Sequence, residues 1–215
     1  MSARPRVKIC GLRDVAVAMQ LDGLADFAGI NLVPTSRRSV SLDTAHALLD
    51  TLRQHAPDVT PILVFQDTPR HAVLQVAKEL QTPWVQLHGH EPSSDAAWLA
   101  AHGCHVVKAL TVADLPHAQE FLPHVHALLL DAPRPGDGQP WMYPSHAALR
   151  SVIAPQVEVW LAGGLHANNV AAAIRQAQPD LVDVASGVET AGLQDLARIT
   201  AFAAAARDAA VEESL

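Results

Sequence analysis

Val7-Lys8-Ile9-Cys10-Gly11, close to the N-terminus, is apolar at alternate positions and ends in a thiol followed by a glycine. Side chains alternate between the two faces of a strand, so Val7 and Ile9 share one face and Lys8 and Cys10 the other. One face is hydrocarbon, and the other carries an amine and a thiol. A half-buried surface strand fits this pattern. So does the first strand of a barrel whose inward face carries chemistry, and the remaining chain decides between them.

Strand-like apolar runs recur at 7–11, 27–33, 61–66, 84–89, 105–110, 127–132, 157–163 and 181–186. Alanine- and leucine-rich segments with helical spacing lie between them, at 15–24, 42–54, 69–80, 93–102, 145–153, 167–177 and 193–206. A weaker one, with Pro116 near its start, covers 114–122. Asp14, Ser41, Ser94 and Asp114 stand where helix starts need an acceptor for orphan N–H groups. Strand starts are roughly 20 to 34 residues apart, the length of a strand–helix unit returning to a parallel neighbour. Eight such units in 215 residues, with no Pro/Gly/Ser-rich linker, predict an α/β chain folded as a single (β/α)8 TIM barrel over residues 1–215. An open doubly wound sheet is the alternative, but it normally uses fewer strands for this length. The longest strand-to-helix connections, 34–40 and 133–143, both fall at the C-terminal rim of such a barrel, where active sites are built.

Composition narrows the function. Hydrophobic residues make up 49% of the chain and charged residues 17%, enough for a sizeable core and too few charges for disorder. A net charge of −7 with a pI near 5.9 disfavours nucleic acid and anionic membrane as partners. It leaves room for a small anionic substrate held by a locally positive site. Cys10 and Cys104 form no disulfide framework and read as free thiols of a reducing compartment. No apolar run reaches the ~20 residues of a membrane span, and residues 1–6 lack a signal-peptide core, so a cytoplasmic protein is expected.

The strand parity that includes Cys10 collects polar residues: Lys8 and Cys10, Gln86 and His88, Lys108, Asp131, and Asp183. The opposite parity is nearly all apolar and includes Val7, Ile9, Val85, Leu87, Val107, Leu128, Leu130, Val182 and Val184. Buried polar groups are costly unless they pair or do chemistry. Lys8 with Asp183, or Lys108 with an acid, reads equally well as a structural ion pair. As a set crowded toward one rim, these residues point to an active site. Two glycine turns follow strands seven and eight, Leu161-Ala162-Gly163-Gly164-Leu165 and Ala185-Ser186-Gly187-Val188-Glu189. Glycines at such places let backbone N–H groups approach a phosphate, and a helix N-terminus adds positive dipole. Each turn alone also reads as a tight strand exit, but the two in succession are a stronger signal.

Lys8-Ile9-Cys10-Gly11, Val85-Gln86-Leu87-His88-Gly89, Leu161-Ala162-Gly163-Gly164-Leu165 and Ser186-Gly187-Val188-Glu189 occur in this order, supported by 34–40, Lys108-Ala109 and Leu130-Asp131. Together they resemble the phosphoribosylanthranilate isomerase family over nearly the whole chain. The resemblance implies a (β/α)8 barrel with no metal and no organic cofactor, acting on a small phosphosugar, as a monomer or homodimer. It implies an Amadori rearrangement in tryptophan biosynthesis, from N-(5-phosphoribosyl)anthranilate to 1-(2-carboxyphenylamino)-1-deoxyribulose 5-phosphate. By the same resemblance Cys10 is the general base, Asp131 the general acid, and Arg38 the holder of the anthranilate carboxylate. The same resemblance makes Gly163, Gly164, Ser186 and Gly187 the phosphate cradle, and His88 and Asp183 are expected to contact substrate. The chain departs from the family pattern at Asn31-Leu32-Val33, at Ile62-Leu63-Val64-Phe65 and at 136–143.

The residues suit that chemistry. An acid must protonate the ribose ring oxygen, and a base must then take the proton on C2. Asp131 follows Leu128-Leu129-Leu130, hydrocarbon that would favour a protonated acid, while nearby cations or turn dipoles would lower the Cys10 thiol and suit a base. Arg37 and Arg38 are adjacent and could exchange roles. Cys104 reads as packing between a helix and strand five. Three other functions fit the residues less well. A metal-dependent hydrolase would need about three ligands, and His88 with His90 supplies too few. A phosphosugar-binding barrel without turnover would not need Cys10 and Asp131. An isomerase of the related histidine-pathway aminoaldose would need acids at the ends of strands one and five.

Overall fold

A computed structural model describes residues 4–131 and 143–209. Eight parallel strands close into a barrel in chain order: β1 (Arg6–Cys10), β2 (Phe27–Asn31), β3 (Thr60–Phe65), β4 (Trp84–Leu87), β5 (His105–Thr111), β6 (Ala127–Asp131), β7 (Glu158–Ala162) and β8 (Leu181–Val184). Around it run α1 (Val15–Ala18), α2 (Leu42–His55), α3 (Arg70–Glu79), α4 (Ser93–Ala101), α5 (His146–Arg150), α6 (Val170–Ala177) and α7 (Leu196–Asp208). The connection from β5 to β6 is a 3₁₀ helix, Val112–Glu120, with Pro116 inside it. The expected closed barrel is the observed one.

The element ends differ in instructive ways. Asp14 and Ser41 cap α1 and α2 as expected. Ser94 does not cap: α4 starts a residue earlier, after Pro92, with no side-chain acceptor. Asp114 is not the cap but the N3 residue of a capping box whose N-cap is Thr111. The helix expected at 15–24 is only Val15–Ala18, and the one expected at 193–206 starts at Leu196, capped by Asp195. Leu193–Gln194 instead pairs antiparallel with Glu189–Thr190 in a short hairpin. The end of the strand expected at 127–132 and nearly all of the loop 133–143 lie outside the described residues.

Two layers of core hold the barrel. Outward-facing Val7, Ile9, Leu63, Val85, Leu87, Leu128, Leu130, Val182 and Val184 bury against the helices. Phe27, Ile62, Val107, Ala109, Ala127, Leu129, Trp160 and Leu181 form a separate cluster in the interior. Phe27, Trp84 and Trp160 pack ring against ring there, which closes the lower end of the barrel. Below them Glu158 takes hydrogen bonds from Arg6 and from the Trp160 indole at 2.9 Å.

Strand five corrects the expected facing. Register sets Val107 beside Gln86 and Lys108 beside Leu87, so Val107 points into the barrel and Lys108 out of it. The interior at that level is already filled by Ile62, Leu129 and Trp160, and a short branched side chain completes the layer. Lys108 runs between the strands and the loop after β4, with its ammonium 2.8 Å from Glu91 Oε2 and 2.5 Å from the Gly89 carbonyl oxygen. Glu91 also accepts from the backbone N–H groups of Gly89 and Asp67. Of the two readings open for Lys108, this is the structural ion pair: it staples a rim loop and stays out of the barrel mouth.

Candidate active site

A cavity of about 520 Å³ opens at the C-terminal mouth of the barrel. Cys10 at the end of β1 and Asp131 at the end of β6 both line it, as do Arg38, His88, Asp183, Gly163, Gly164 and Ser186. Gly187 lies behind the wall. A Cβ on it would run into the Leu165 carbonyl oxygen and lie 2.9 Å from the carbonyl carbon, so only glycine lets the loop after β8 press on the loop after β7. Gly163 and Gly164 take φ of 93° and 56°, left-handed conformations that turn the chain sharply from β7 toward α6. Tyr143 braces that turn by donating its hydroxyl hydrogen to the Ala162 carbonyl oxygen at 2.8 Å. Burial holds the Tyr143 phenol far above its ordinary value, so it stays a donor.

Beneath the cavity floor lies a buried charge pair. The Lys8 ammonium, with no exposed side-chain surface, donates to Asp183 Oδ2 and to Gln86 Oε1, each at 2.9 Å. Burial alone would lower Lys8, but the Asp183 carboxylate and the Cys10 sulfur outweigh it and hold the ammonium above its ordinary value. Asp183 Oδ1 is buried and has no hydrogen-bond partner among the described residues. Gly29 makes room for this arrangement in β2. A Cβ there would lie 2.9 Å from Cys10 Sγ and 3.3 Å from Lys8 Cε.

Two expectations about environment do not hold. Burial pushes the Cys10 thiol up, and the Lys8 and Arg38 cations offset this only in part. The expected downward shift fails because the sulfur is desolvated inside the barrel, where the Asp183 carboxylate also works against the thiolate. Asp131 is not surrounded by hydrocarbon. Leu128 and Leu130 point away from it, and its side chain is 40% exposed at the mouth, with Oδ2 3.3 Å from His88 Nε2.

The two arginines of the loop after β2 separate cleanly. Arg38 lines the cavity, whereas Arg37 is 59% exposed. Glu189 binds both: Arg38 Nε and Nη2 donate to its two oxygens at 2.6 and 3.0 Å, and Arg37 Nη2 to Oε2 at 2.7 Å. Glu189 belongs to a quoted motif, yet its part in orienting Arg38 was not read from sequence, because it joins residues about 150 positions apart. Asn31, Ser36, Gln66 and Thr111 also line the cavity and were missed. Asn31 Nδ2 donates to Ser36 Oγ at 3.2 Å, and Ser36 Oγ accepts from the Arg38 backbone N–H, so the strand-two departure shapes the arginine loop. His90 is nearly fully exposed and turned to Asp67, away from His88. Among the described residues no group of three His, Cys, Asp or Glu side chains is placed to hold a metal ion, and no helix is long and apolar enough to cross a membrane.

A family model described as N-(5'phosphoribosyl)anthranilate (PRA) isomerase matches residues 7–205. The chain belongs to this family. The N-(5'-phosphoribosyl)anthranilate isomerase of Halobacterium salinarum is 41% identical, over 94% of this chain and 95% of its own. That of Myxococcus xanthus is 34% identical, over 94% and 96%. Among solved members of the family, a phosphoribosyl anthranilate isomerase in complex with reduced 1-(o-carboxyphenylamino)-1-deoxyribulose 5-phosphate superposes with a TM-score of 0.80. It is 29% identical and the match covers 95% of this chain and 99% of that one. Monomers generated from the dimeric Thermotoga maritima member give a TM-score of 0.77 at 31% identity, over 94% and 98%.

Proposed function

We propose that this protein is a phosphoribosylanthranilate isomerase, catalysing the Amadori rearrangement of N-(5-phosphoribosyl)anthranilate to the corresponding aminoketose in tryptophan biosynthesis. The observation that carries the reading is a thiol and a carboxyl group on separate strands facing one cavity, with the two glycine turns on its wall, in a chain that belongs to this family. Asp131 gives a proton to the ribose ring oxygen, the C1–O bond breaks, and the anilino nitrogen becomes a Schiff base conjugated to the ring. The Cys10 thiolate then removes the C2 proton, and the electron pair moves to form the enolamine. Loss of the C2 hydroxyl proton and protonation at C1 give the ketone. Each turnover leaves Asp131 one proton short and Cys10 one proton over, and exchange with solvent at the open mouth resets both.

The remaining groups bind. Glu189 holds Arg38 by its Nε–Nη2 side, which leaves Nη1 and the outer edge of the fork for the anthranilate carboxylate. Asp183 Oδ1, lacking a partner, accepts from a ribose hydroxyl. The backbone at Gly163-Gly164 and Ser186-Gly187 receives the phosphate.

The test is turnover of phosphoribosylanthranilate by the purified protein, followed by the change in anthranilate fluorescence. Cys10→Ser and Asp131→Asn should each lower kcat by about 10² to 10⁴. Arg38→Ala should act mainly by raising KM. No turnover by the wild-type chain rejects the function, and variants within a few-fold of wild type remove those residues from the mechanism.

A further inference from the structure

A chain of hydrogen bonds leads from the buried ammonium of Lys8 to the carboxyl of Asp131, and each link dictates the next. An ammonium only donates, so the Gln86 atom facing Lys8 Nζ at 2.9 Å is the carbonyl Oε1. The same constraint turns the amide nitrogen, Nε2, toward His88 Nδ1 at 2.7 Å. An amide nitrogen also only donates, so Nδ1 is the ring nitrogen with the lone pair. The imidazole proton is therefore on Nε2, which faces Asp131 Oδ2 at 3.3 Å. Gln86 is fully buried, so water cannot take over either of its bonds. Protonating Nδ1 would set two donors against each other at 2.7 Å.

We propose that Gln86 is a positioning residue: it relays the fixed polarity of Lys8 to His88, holding that ring as the neutral Nε2–H tautomer that donates to Asp131. The inference rests on the role given to Asp131 above and deepens it. With Oδ2 engaged by His88, the acid's proton resides on Oδ1, the oxygen left for the ribose ring. A neutral ring adds no positive charge beside Asp131. An imidazolium at the same place would favour the carboxylate and oppose proton donation. Gln86 acts in this role without touching substrate.

The first measurement uses the unmodified protein. Nitrogen-15 histidine spectra, with the His88 signal identified by its loss in His88→Gln, should show Nε2 protonated and Nδ1 bare at neutral pH. A protonated Nδ1, alone or in an imidazolium, overturns the proposal whatever the activity of the protein. The second measurement replaces the donor by an acceptor. Gln86→Glu offers a carboxylate to both Lys8 and His88, so Nδ1 should become protonated. Turnover should then fall about 10- to 100-fold in kcat with KM within about three-fold of wild type, a smaller loss than removing the acid itself. A raised KM with unchanged kcat, or an unchanged His88 spectrum, rejects the relay. A protein with the expected tautomer but no turnover of phosphoribosylanthranilate would count against the proposed function and leave the tautomer standing.

Discussion

Removing the Lys8 charge with Lys8→Met, which keeps an unbranched side chain one atom shorter, should destabilise the protein in a way set by pH. Lys8 is wholly buried and Asp183 is 6% exposed, and the ammonium is the hydrogen-bond partner of Asp183 Oδ2. Asp183 Oδ1 has no partner among the described residues to begin with, so the substitution leaves the carboxylate without its ammonium partner. An orphaned buried charge costs about 3–5 kcal/mol. Burial already pushes Asp183 up against the pull of Lys8, and without that pull the carboxyl takes up a proton rather than remain charged. A carboxyl that is neutral when folded and ionised when unfolded costs about 1.4 kcal/mol for each pH unit above its ordinary value, at most about 4 kcal/mol at pH 7 relative to a wild type whose own raised Asp183 bears part of it. The folded-state value is the raised one, so the penalty grows with pH above that ordinary value. It should shrink to about 1.5 kcal/mol at pH 5. Urea unfolding followed by tryptophan fluorescence at both pH values measures this. Lys8→Met with Asp183→Asn removes both charges, and should recover much of the loss and show no such pH dependence. A Lys8→Met penalty below about 1 kcal/mol at pH 7, or one unchanged between pH 7 and 5, would show that Lys8 does not hold the Asp183 charge in the fold.

Three further outcomes follow from other parts of the molecule. With Cys104→Ser to isolate the signal, alkylation of Cys10 by iodoacetamide should accelerate with a midpoint above the ordinary thiol value of 9.0, and a lower midpoint would contradict the burial argument. Burial would raise Glu158, but hydrogen bonds from His126 and Trp160 and the charge of Arg6 bring it down to about 2. A lowered carboxylate stabilises above its ordinary value of 4.5 and loses that contribution as pH falls toward 2, so Glu158→Gln should remove about 1 kcal/mol at pH 7 after solvent screening and flatten acid unfolding between those values. Gly187→Ala forces apart the two loops that press together at Leu165, and should raise KM about ten-fold or more while kcat changes less; unchanged KM would detach this contact from the phosphate turns.

Much of this was legible before any coordinates. The barrel follows from eight strand–helix periods, and parity within a strand placed Lys8, Cys10, Gln86, Asp131 and Asp183 on the inner face because alternation is a local property of extended backbone. The rim position of Cys10, Asp131 and the glycine turns needs only the rule that a parallel barrel presents all its strand ends on one side. What failed depended on distant neighbours. Lys108 carries the same alternating signal as Lys8, yet points outward, because the register of β5 against β4 and the filled interior decide which face is which. Arg38 lines the cavity and Arg37 is exposed, although both are held by Glu189, some 150 residues away. The Cys10 thiol is pushed up because folding takes it partly out of water, a quantity no local pattern contains. Chain periodicity determined the architecture and the residue types offered at the barrel mouth; the closed sheet decided which of them meet, and in what state of charge, because contact across strands and desolvation exist only once the barrel has formed.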